Sequence, residues 1–387
     1  MLTHRSLCVM RVAFVKDAVY PWEIGGAQKR NWEIARRLAD RHDVHLFGMH
    51  YWDGPRKIER DGVTLHGVCE PRDLYTDGRR SIPQALYFTR HVLTSLLKHD
   101  FDVIDCQKSS LFPFFPTKVH AIARNSALVG MWTEIWGDYW YEYLGKKGLA
   151  GKTIERVAVR LPDVNIAISE FIADQMREVG RTDGISVVHN GVDYERIRGI
   201  EAADTSWDVI YAGRLSEHKN VDVLVDAVAA ASDALDKDID CGIIGNGPER
   251  ERLERFSRET GAENCVEFLG FLKEEDDVIA NMKSASVFVL PSEREGFPNT
   301  ILEANACGVP VITVDAFKNG GRAIVEDGET GYVTDLRSNA IADRIVEIVS
   351  DQVLRARLGD AAREYGAAHD WDVIVDQTEE VYLNAAR

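Results

Sequence analysis

The stretch Ser292-Glu293-Arg294-Glu295-Gly296-Phe297-Pro298-Asn299-Thr300-Ile301-Leu302-Glu303-Ala304 joins an apolar segment to a helical pattern. The largely apolar residues before it, 285–291, predict a buried strand. Pro298 suits the first helical turn, and Gly308 followed by Pro310 is typical of a helix end. Strand, loop and helix in this order are what an α/β protein with a parallel sheet repeats.

The same stretch places two carboxylates eight residues apart. Glu295 is predicted in the loop that enters the helix, and Glu303 more than one turn inside it, roughly 7 Å further along at about 1.5 Å per residue. The backbone amides of 297–300 lack intrahelical acceptors and can face a bound anion. One end can hold a sugar, the middle a phosphate and the far carboxylate a ribose, so the spacing predicts a nucleotide-sugar site.

The rest of the chain repeats the alternation of strand and helix in two series. In the first series a helix begins at Gly25-Gly26 and Ser169 is predicted to cap another. The predicted strands of this series are Arg11–Val15, 44–47, 103–106, 127–131 and 164–168. Those of the second are 208–212, 240–244, 266–269, 286–290 and Val311–Val314.

These two series predict two Rossmann-like, doubly wound domains, 1–200 and 201–370. The carboxyl ends of their strands are expected to face an interdomain cleft, where ligands bind. Residues 1–9 are expected to be a loose extension. Residues 371–387 have an amphipathic pattern and are predicted to form a helix that crosses back to the first domain.

The net charge of −17 is distributed unevenly along the chain. Residues 1–200 contain 28 Lys and Arg residues and 25 Asp and Glu residues, which is a net charge of +3. The remaining residues contain 46−28 = 18 basic and 63−25 = 38 acidic side chains, which is a net charge of −20. An acidic surface repels phosphates and anionic lipids. The first domain is therefore expected to bind an anionic or membrane-borne acceptor, and nucleic acid is not an expected partner.

The apolar runs of the chain are shorter than the roughly 20 residues of a membrane helix, and no hydrophobic core of a signal peptide lies near Met1. The six cysteines are scattered without metal or redox spacing. These features predict a cytoplasmic protein, with the inner face of the membrane as a second location.

Two further segments of the first domain suggest contact with an acceptor or a membrane. Residues 136–143 are unusually aromatic, and their rings are predicted either to meet an acceptor sugar or lipid or to pack under a loop. Residues 151–161 have a helical pattern with an apolar face and a basic face, which predicts peripheral, reversible membrane contact. The predicted apolar face is Ile154, Val157, Ala158 and Leu161, and the basic face is Lys152, Arg156 and Arg160.

The pair of glutamates is followed by Ala304-x-Ala306-Cys307-Gly308-x-Pro310-Val311-Ile312. The whole string resembles the signature of the large retaining glycosyltransferase family called group 1, or family four, which has the GT-B fold. The string 189–193, His-Asn-Gly-Val-Asp, resembles the family's Pro-Asn-Gly-Val-Asp. The resemblance implies transfer of a hexose-type unit from a UDP or GDP type of sugar to a hydroxyl of a glycan or lipid-linked acceptor.

The resemblance also implies roles for individual residues. Arg214 and Lys219 would hold the donor diphosphate, and two such cations would neutralise the leaving group without a metal or other cofactor. Glu295 would bind the hydroxyls of the donor sugar, and Glu303 those of the ribose. The other implied donor-binding residues are Gly25, Gly26, Thr133, Gly245, Gly247, Gly270, Phe271, Gly296, Phe297, Pro298 and Asn299.

Thr133 departs from the family pattern, because relatives commonly carry a His there that contacts the donor sugar and its phosphate. Thr can donate a hydrogen bond but cannot be cationic. The departure implies altered sugar selection, reduced turnover or a shift of the alignment by one residue.

Three alternatives remain at this stage. A metal-dependent transferase of another fold needs an Asp-x-Asp at a strand end, and 236–238 and 238–240 match those letters but precede their strand. A nucleotide-sugar-binding protein without transferase activity is permitted by Thr133. A GT-B sugar epimerase would share the same architecture.

Overall fold

A computed structural model describes residues 9–76 and 79–386. The chain divides into two units, Met1–His189 with Asp372–Arg387 and Asn190–Trp371. The first boundary thus lies at His189 rather than at the predicted residue 200, because Val192 is part of the second unit. Its backbone N–H donates to His369 at 2.9 Å, and its carbonyl accepts from Trp371 at 3.0 Å. The predicted loose extension 1–9 lies outside the described residues except for Val9.

In the described residues, eight strands of the first unit form one sheet in the order β10-β9-β8-β7-β1-β2-β4-β3. All neighbours are parallel except β3, which pairs antiparallel with β4. Strands β5 and β6 form a separate small hairpin. The strands are β1 (Arg11–Val15), β2 (Asp43–Met49), β3 (Lys57–Arg60), β4 (Val63–Cys69), β5 (Tyr75–Thr76), β6 (Arg79–Arg80), β7 (Val103–Gln107), β8 (Ala127–Trp132), β9 (Val164–Ala167) and β10 (Ile185–Val187).

The helices of the first unit connect these strands. Apolar residues at helical spacing place Trp32, Ala35 and Leu38 in the core, and Ser169 caps its helix as predicted, accepting from Ile172 N–H at 3.4 Å. The helices are α1 (Gly26–Leu38), α2 (Ile82–Leu96), α3 (Phe114–Arg124), α4 (Tyr139–Leu144), α5 (Gly148–Ala158) and α6 (Glu170–Glu178).

Helix α5 buries only part of the predicted apolar face. Ala158 is fully buried, and Ile154 and Leu161 are half-buried. Val157 is 43% exposed, whereas Glu155 is fully buried. The Glu155 carboxylate accepts from the backbone N–H of Trp136 at 2.9 Å and of Gly137 at 2.8 Å. A buried carboxylate needs such partners, and they turn Glu155 rather than Val157 towards the protein.

In the second unit, six strands form a parallel sheet in the order β13-β12-β11-β14-β16-β18 within the described residues. When only the six strands of this sheet are numbered, their order is 3-2-1-4-5-6, the doubly wound Rossmann arrangement. Strands β15 and β17 form a separate pair. The strands are β11 (Trp207–Ala212), β12 (Cys241–Ile244), β13 (Val266–Gly270), β14 (Ala285–Leu290), β15 (Arg294–Glu295), β16 (Val311–Val314), β17 (Lys318–Asn319) and β18 (Gly331–Thr334).

The helices of the second unit pack their apolar sides against this sheet. The helix after β14 begins one residue later than predicted, with Pro298 at the N-cap, and it ends at Gly308, whose φ of 73° is left-handed. The helices are α7 (Tyr194–Gly199), α8 (Val221–Leu235), α9 (Arg250–Glu259), α10 (Glu275–Lys283), α11 (Asn299–Cys307), α12 (Ser338–Ser350) and α13 (Gln352–Ala368).

The last helix, α14 (Trp371–Ala385), contacts the first unit from Asp372 onwards. On its surface side, Asp372 pairs with Arg37 at 2.9 Å. On its buried side, the Tyr382 hydroxyl donates to the carboxylate of Asp105 in β7. The carboxylate of Asp105 also accepts from Gln107 at 2.9 Å. Burial raises the pKa of Asp105 to about 6, so its ionised form depends on these donors.

We predict that Tyr382→Phe lowers the free energy of unfolding of the first unit by about 1.5 to 3 kcal/mol at neutral pH, the usual contribution of a hydrogen bond to a charged group. Urea denaturation followed by circular dichroism measures it. Tyr141→Phe is the control, because Tyr141 is 42% exposed and its loss of a hydroxyl should change little. Equal stability of the two variants would contradict the role given to the Asp105 contact.

Candidate functional site

The predicted donor residues of the second unit lie where β11 and β14 are neighbours at the centre of the sheet. Strands β12 and β13 continue on one side of this pair, and β16 and β18 on the other. The connections that leave β11 and β14 therefore diverge and open a crevice at the carboxyl edge. Lys219 lies in the connection after β11 and Glu295 in the connection after β14.

Lys219 and Glu295 form an ion pair across this crevice. The ammonium of Lys219 donates to Oε1 of Glu295, and their side chains are only 16% and 14% exposed. Solvent screens a half-buried pair less than a surface pair. The structure therefore holds one cation and one carboxylate together, 76 residues apart in sequence, in the place where the sequence predicted the sugar and the diphosphate.

The two connections are joined by two hydrogen bonds close to this pair, one between backbone groups and one from a side chain. The carbonyl of His218 accepts from the N–H of Glu293 at 3.1 Å. The Asn220 side chain donates to the carbonyl of Pro291 at 3.2 Å. Because these bonds flank Lys219 on both sides, its backbone position is fixed relative to the loop that carries Glu295.

Glu295 is also held from the opposite side. Its strand β15 pairs with β17, which places Asn319 beside Glu295. Asn319 is buried, and its side-chain amide donates to Thr313 Oγ1 at 3.1 Å and to the Val314 carbonyl at 2.8 Å. A short loop fixed from two sides keeps its carboxylate in one orientation.

Arg214 contributes a positive charge that is exposed rather than half-buried. Its side chain is exposed and has no ion pair among the residues that the structure describes. Its carbonyl accepts from the hydroxyl of Tyr211 at 3.3 Å, and burial raises the pKa of that hydroxyl. Because Lys219 is already paired with Glu295, Arg214 adds an exposed cation to this edge of the sheet, which suits an anionic ligand.

Two glycines let neighbouring loops approach each other. Gly245 has a φ of 136°, and a Cβ there would lie 1.9 Å from the carbonyl oxygen of Gly213. A Cβ on Gly247 would lie 2.0 Å from the carbonyl oxygen of Leu215. The backbone of these loops can therefore approach a ligand that side chains would otherwise keep away.

The next loop extends the same edge. The N–H of Gly245 donates to the carbonyl of Gly270 at 2.7 Å, which brings the end of β13 beside the end of β12. Phe271 follows and is 74% exposed. The ends of three neighbouring strands thus present backbone together with one exposed ring.

The N-terminus of α11 forms the other side of the predicted donor site. Gly296 and Phe297 are half-buried in the loop before it, and Pro298 at the N-cap supplies no side-chain acceptor for the first amides of the helix. Asn299 Oδ1 accepts from Asn190 Nδ2 at 2.6 Å, so the string 189–193 contacts the donor loop directly. Glu303 is half-buried in the second turn of α11.

The remaining predicted site residues belong to the first unit. Gly25 is the N-cap of α1, with an extended φ of 175°, and Gly26 is its first residue. Thr133 follows β8 and lines a cavity of about 500 Å³ together with Ala27 and Gln28. The structure therefore gathers the predicted residues into two groups, a larger one in the second unit and a smaller one in the first.

Three charged residues that line this cavity escaped the sequence analysis. Lys16 and Asp17 follow β1, and Lys108 follows β7. Strands β1 and β7 are neighbours at the centre of the first sheet, with β2 on one side and β8 on the other. The signal was present in the sequence, because charged residues directly after a strand of a doubly wound sheet lie at its binding edge.

The aspartates of the alternative Asp-x-Asp site do not follow a strand. Asp236, Asp238 and Asp240 are exposed in the connection before β12, as expected for solvated charges. In the described residues, no three His, Cys, Asp or Glu side chains lie together as metal ligands would. Among the helices of the same residues, none has the length and apolarity needed to cross a membrane.

Two family models match consecutive parts of the chain and together cover residues 24–365. The model described as Glycosyltransferase Family 4 matches residues 24–196, and the one described as Glycosyl transferases group 1 matches residues 193–365. An uncharacterized glycosyltransferase of Methanocaldococcus jannaschii, MJ1178, is 29% identical over 97% of this chain and 99% of its own length. The phosphatidyl-myo-inositol mannosyltransferase of Mycobacterium leprae is 34% identical over 57% of this chain and 59% of its own length.

Solved structures have the same fold. Anabaena HepE in complex with UDP and glucose superposes with a TM-score of 0.73 at 21% identity, over 97% of this chain and 100% of HepE. The sucrose-phosphate synthase of Thermosynechococcus elongatus superposes with a TM-score of 0.76 at 20% identity, over 97% of this chain and 98% of its own. With two parallel Rossmann-like sheets and matches to both halves of the family, the chain belongs to the group 1, or family four, glycosyltransferases of the GT-B fold.

Proposed function

We propose that this glycosyltransferase moves a hexose-type sugar from a nucleoside-diphosphate sugar, of UDP or GDP type, to a hydroxyl acceptor with retention of the anomeric configuration. The ion pair of Lys219 and Glu295 beside the exposed Arg214 carries the proposal. It places a cation for the diphosphate next to a carboxylate for the sugar. HepE, of similar fold, was solved with UDP and glucose, which supports a donor of this class.

In the proposed complex, Arg214 and the open N-terminus of α11 attract the diphosphate, and Lys219 lies at the leaving oxygen. Glu295 accepts hydrogen bonds from the donor sugar while it orients the ammonium of Lys219. Glu303 accepts from the ribose hydroxyls, and the backbone at Gly245, Gly247, Gly270 and Phe271 contacts the nucleotide. Charges that are fixed before the reaction need no reorganisation as negative charge develops on the leaving group.

In the proposed reaction, the acceptor oxygen bonds to the anomeric carbon on the face from which the diphosphate departs. The bond between that carbon and the phosphate oxygen breaks, and the leaving phosphate takes the proton of the acceptor hydroxyl. Lys219 and Arg214 neutralise the charge that the diphosphate gains. Retention follows because the incoming and leaving oxygens use the same face of the sugar.

The acceptor is proposed to belong to a lipid-linked or cell-surface glycan that is made at the cytoplasmic face of a membrane. The balance of +3 over residues 1–200 supports this half as the one that approaches anionic lipid. Helix α5 adds apolar contact area, because Leu149 is 61% and Val157 43% exposed. Membrane contact through these residues would be peripheral and reversible.

A thermal-shift screen of nucleotide sugars followed by a transfer assay tests the function. A donor that binds raises the Tm by mass action, and nucleotide release that requires an acceptor identifies a transferase. Donor binding without acceptor-dependent release would identify a binding protein instead, and a sugar product of unchanged mass an epimerase. Either result would refute the proposal.

We predict that Lys219→Ala lowers kcat at least about a hundredfold and weakens donor affinity less than about tenfold, because the lysine charge matters most as the leaving group develops. Steady-state kinetics and donor titration separate the two effects. The control is Lys237→Ala, since Lys237 is exposed in the connection before β12. A variant that loses affinity and keeps its kcat would contradict the role of Lys219.

We predict that Glu303→Gln and Glu295→Gln affect different steps, nucleotide binding and sugar transfer respectively. The first substitution replaces the charged acceptor of the ribose hydroxyls with a neutral one and should weaken the binding of free nucleoside diphosphate by about 1 to 3 kcal/mol, whereas the second should mainly lower kcat. Gln keeps the size of the side chain, so the comparison isolates the charge. Calorimetric titration with UDP and GDP measures the affinities, and equal losses in both variants would be incompatible with these positions.

We predict that transfer continues in the presence of a chelator, because Arg214 and Lys219 already supply two positive charges for the diphosphate. The measurement is the initial rate with EDTA, with the donor and acceptor concentrations held constant. Complete loss of transfer that manganese or magnesium restores would show that the charge comes from a metal.

A further inference from the structure

The cavity of the first unit has a predominantly apolar wall. Helix α4 and the loop before it supply a cluster of rings, in which Trp136 lies 4.6 Å from Trp140 and 4.8 Å from Tyr143 between ring centroids. Aliphatic side chains complete the wall, among them Ile82 and Ile154. A volume of about 500 Å³ lies within the range of small-molecule sites.

Cations also line the cavity. Lys16 is 3% exposed, and its ammonium has no hydrogen bond or ion pair among the described residues, since the neighbouring Asp17 accepts from Arg80 and Gln84 instead. Burial lowers the pKa of Lys16 to about 8, so it is still mainly charged at neutral pH. Lys108, on the neighbouring strand, pairs with Glu134 at 2.7 Å. A buried cation without a partner is costly.

Three further donors of this cavity have no partner. Ser109 Oγ, Ser110 Oγ and Trp140 Nε1 are shielded from solvent and form no hydrogen bond within the described part of the chain. Buried polar atoms are satisfied in the great majority of cases. Together with Lys16, these atoms form a set of donors without an acceptor among the described residues, and such a set suits an anion.

We infer that this cavity binds the acceptor, and that the acceptor is a membrane-borne lipid with a phosphate-type anionic head group. The inference rests on the proposed function and names the acceptor of that reaction. The head group would lie against Lys16, Ser109 and Ser110, beside Lys108, and the adjoining apolar part along the rings of Trp136 and Trp140.

The apolar wall decides in favour of a lipid over a free sugar phosphate. A wholly polar ligand would satisfy Lys16 and the serines but would leave the rings and aliphatic side chains in contact with water. Ile82, which lines the cavity from α2, is itself 44% exposed, and Leu86, one turn further along this helix, is 49% exposed. Exposed apolar side chains beside a pocket are typical of a surface that meets a membrane or a partner.

Three soluble probes test this assignment by calorimetric titration of the full chain. They are monomeric dihexanoyl phosphatidylglycerol, the zwitterionic dihexanoyl phosphatidylcholine of equal chain length, and glycerol phosphate, the anionic group alone. We expect phosphatidylglycerol to bind at least about tenfold more tightly than either of the others, since it alone supplies both the anion and the chain. If glycerol phosphate bound as tightly as phosphatidylglycerol, the site would be one for free anions and not for a lipid. If phosphatidylcholine bound as tightly as phosphatidylglycerol, the negative charge of the head group would have no role in binding.

Matched variants locate the binding site. Ala150 lines the cavity, whereas Ala123 is exposed on α3 and does not line it, so Ala150→Trp fills the cavity while Ala123→Trp adds the same ring outside it. We expect Ala150→Trp to weaken the binding of phosphatidylglycerol at least about tenfold and Ala123→Trp to bind it like the wild type. Lys16→Met should reduce the preference for phosphatidylglycerol over phosphatidylcholine to less than about threefold. Unchanged binding by Ala150→Trp would overturn the assignment.

Donor binding separates this inference from the proposed function. UDP and GDP titrations of the same variants report on the second unit and also show that each variant is folded. If the donor binds and is transferred to a neutral soluble sugar while no lipid probe binds, the acceptor assignment fails and the transferase stands. If no nucleotide sugar binds to the wild type, the proposed function fails regardless of the cavity.

Discussion

The direction of parallel strands is the constraint on which both units depend. Each right-handed crossover returns the chain to the same end of the sheet, so every connection that follows a strand begins at one edge. Where the strand order reverses, two such connections diverge. This point lies between β11 and β14 in the second unit, with Lys219 and Glu295, and between β1 and β7 in the first, with Lys16 and Lys108.

The two sheet edges differ in whether their buried ammonium group has a partner. In the second unit the buried ammonium of Lys219 already has a carboxylate partner in Glu295, and backbone bonds fix both loops, so the site is organised before a ligand arrives. In the first unit the buried ammonium of Lys16 and two serine hydroxyls have no partner within the described residues. Its electrostatic balance is incomplete until an anion supplies the acceptors.

The sequence predicted local features more successfully than distant contacts. Strands Arg11–Val15 and Val311–Val314 were predicted to the residue, because short apolar runs flanked by polar residues are a local pattern. The hairpin of β3 and β4 was missed, although Asp61-Gly62 is a turn signal that the structure uses with φ of 48° and 76°. Periodicity predicted the burial of Ala158 in α5 but not that of Glu155, because the burial of Glu155 depends on backbone amides that its carboxylate reaches near Trp136.

The difference between local features and distant contacts also explains why the site in the first unit was harder to predict. Thr133 belongs to that site. The donor residues lie in compact strings, whereas the cavity takes Lys16, Lys108 and Thr133 from three strands that become neighbours only on folding. A His at position 133 would add an ionisable group to this edge. Since Lys16 and Lys108 already supply two cations to the same cavity, the neutral hydroxyl of Thr133 does not leave it without positive charge, and the departure from the family pattern is compatible with an anionic ligand there.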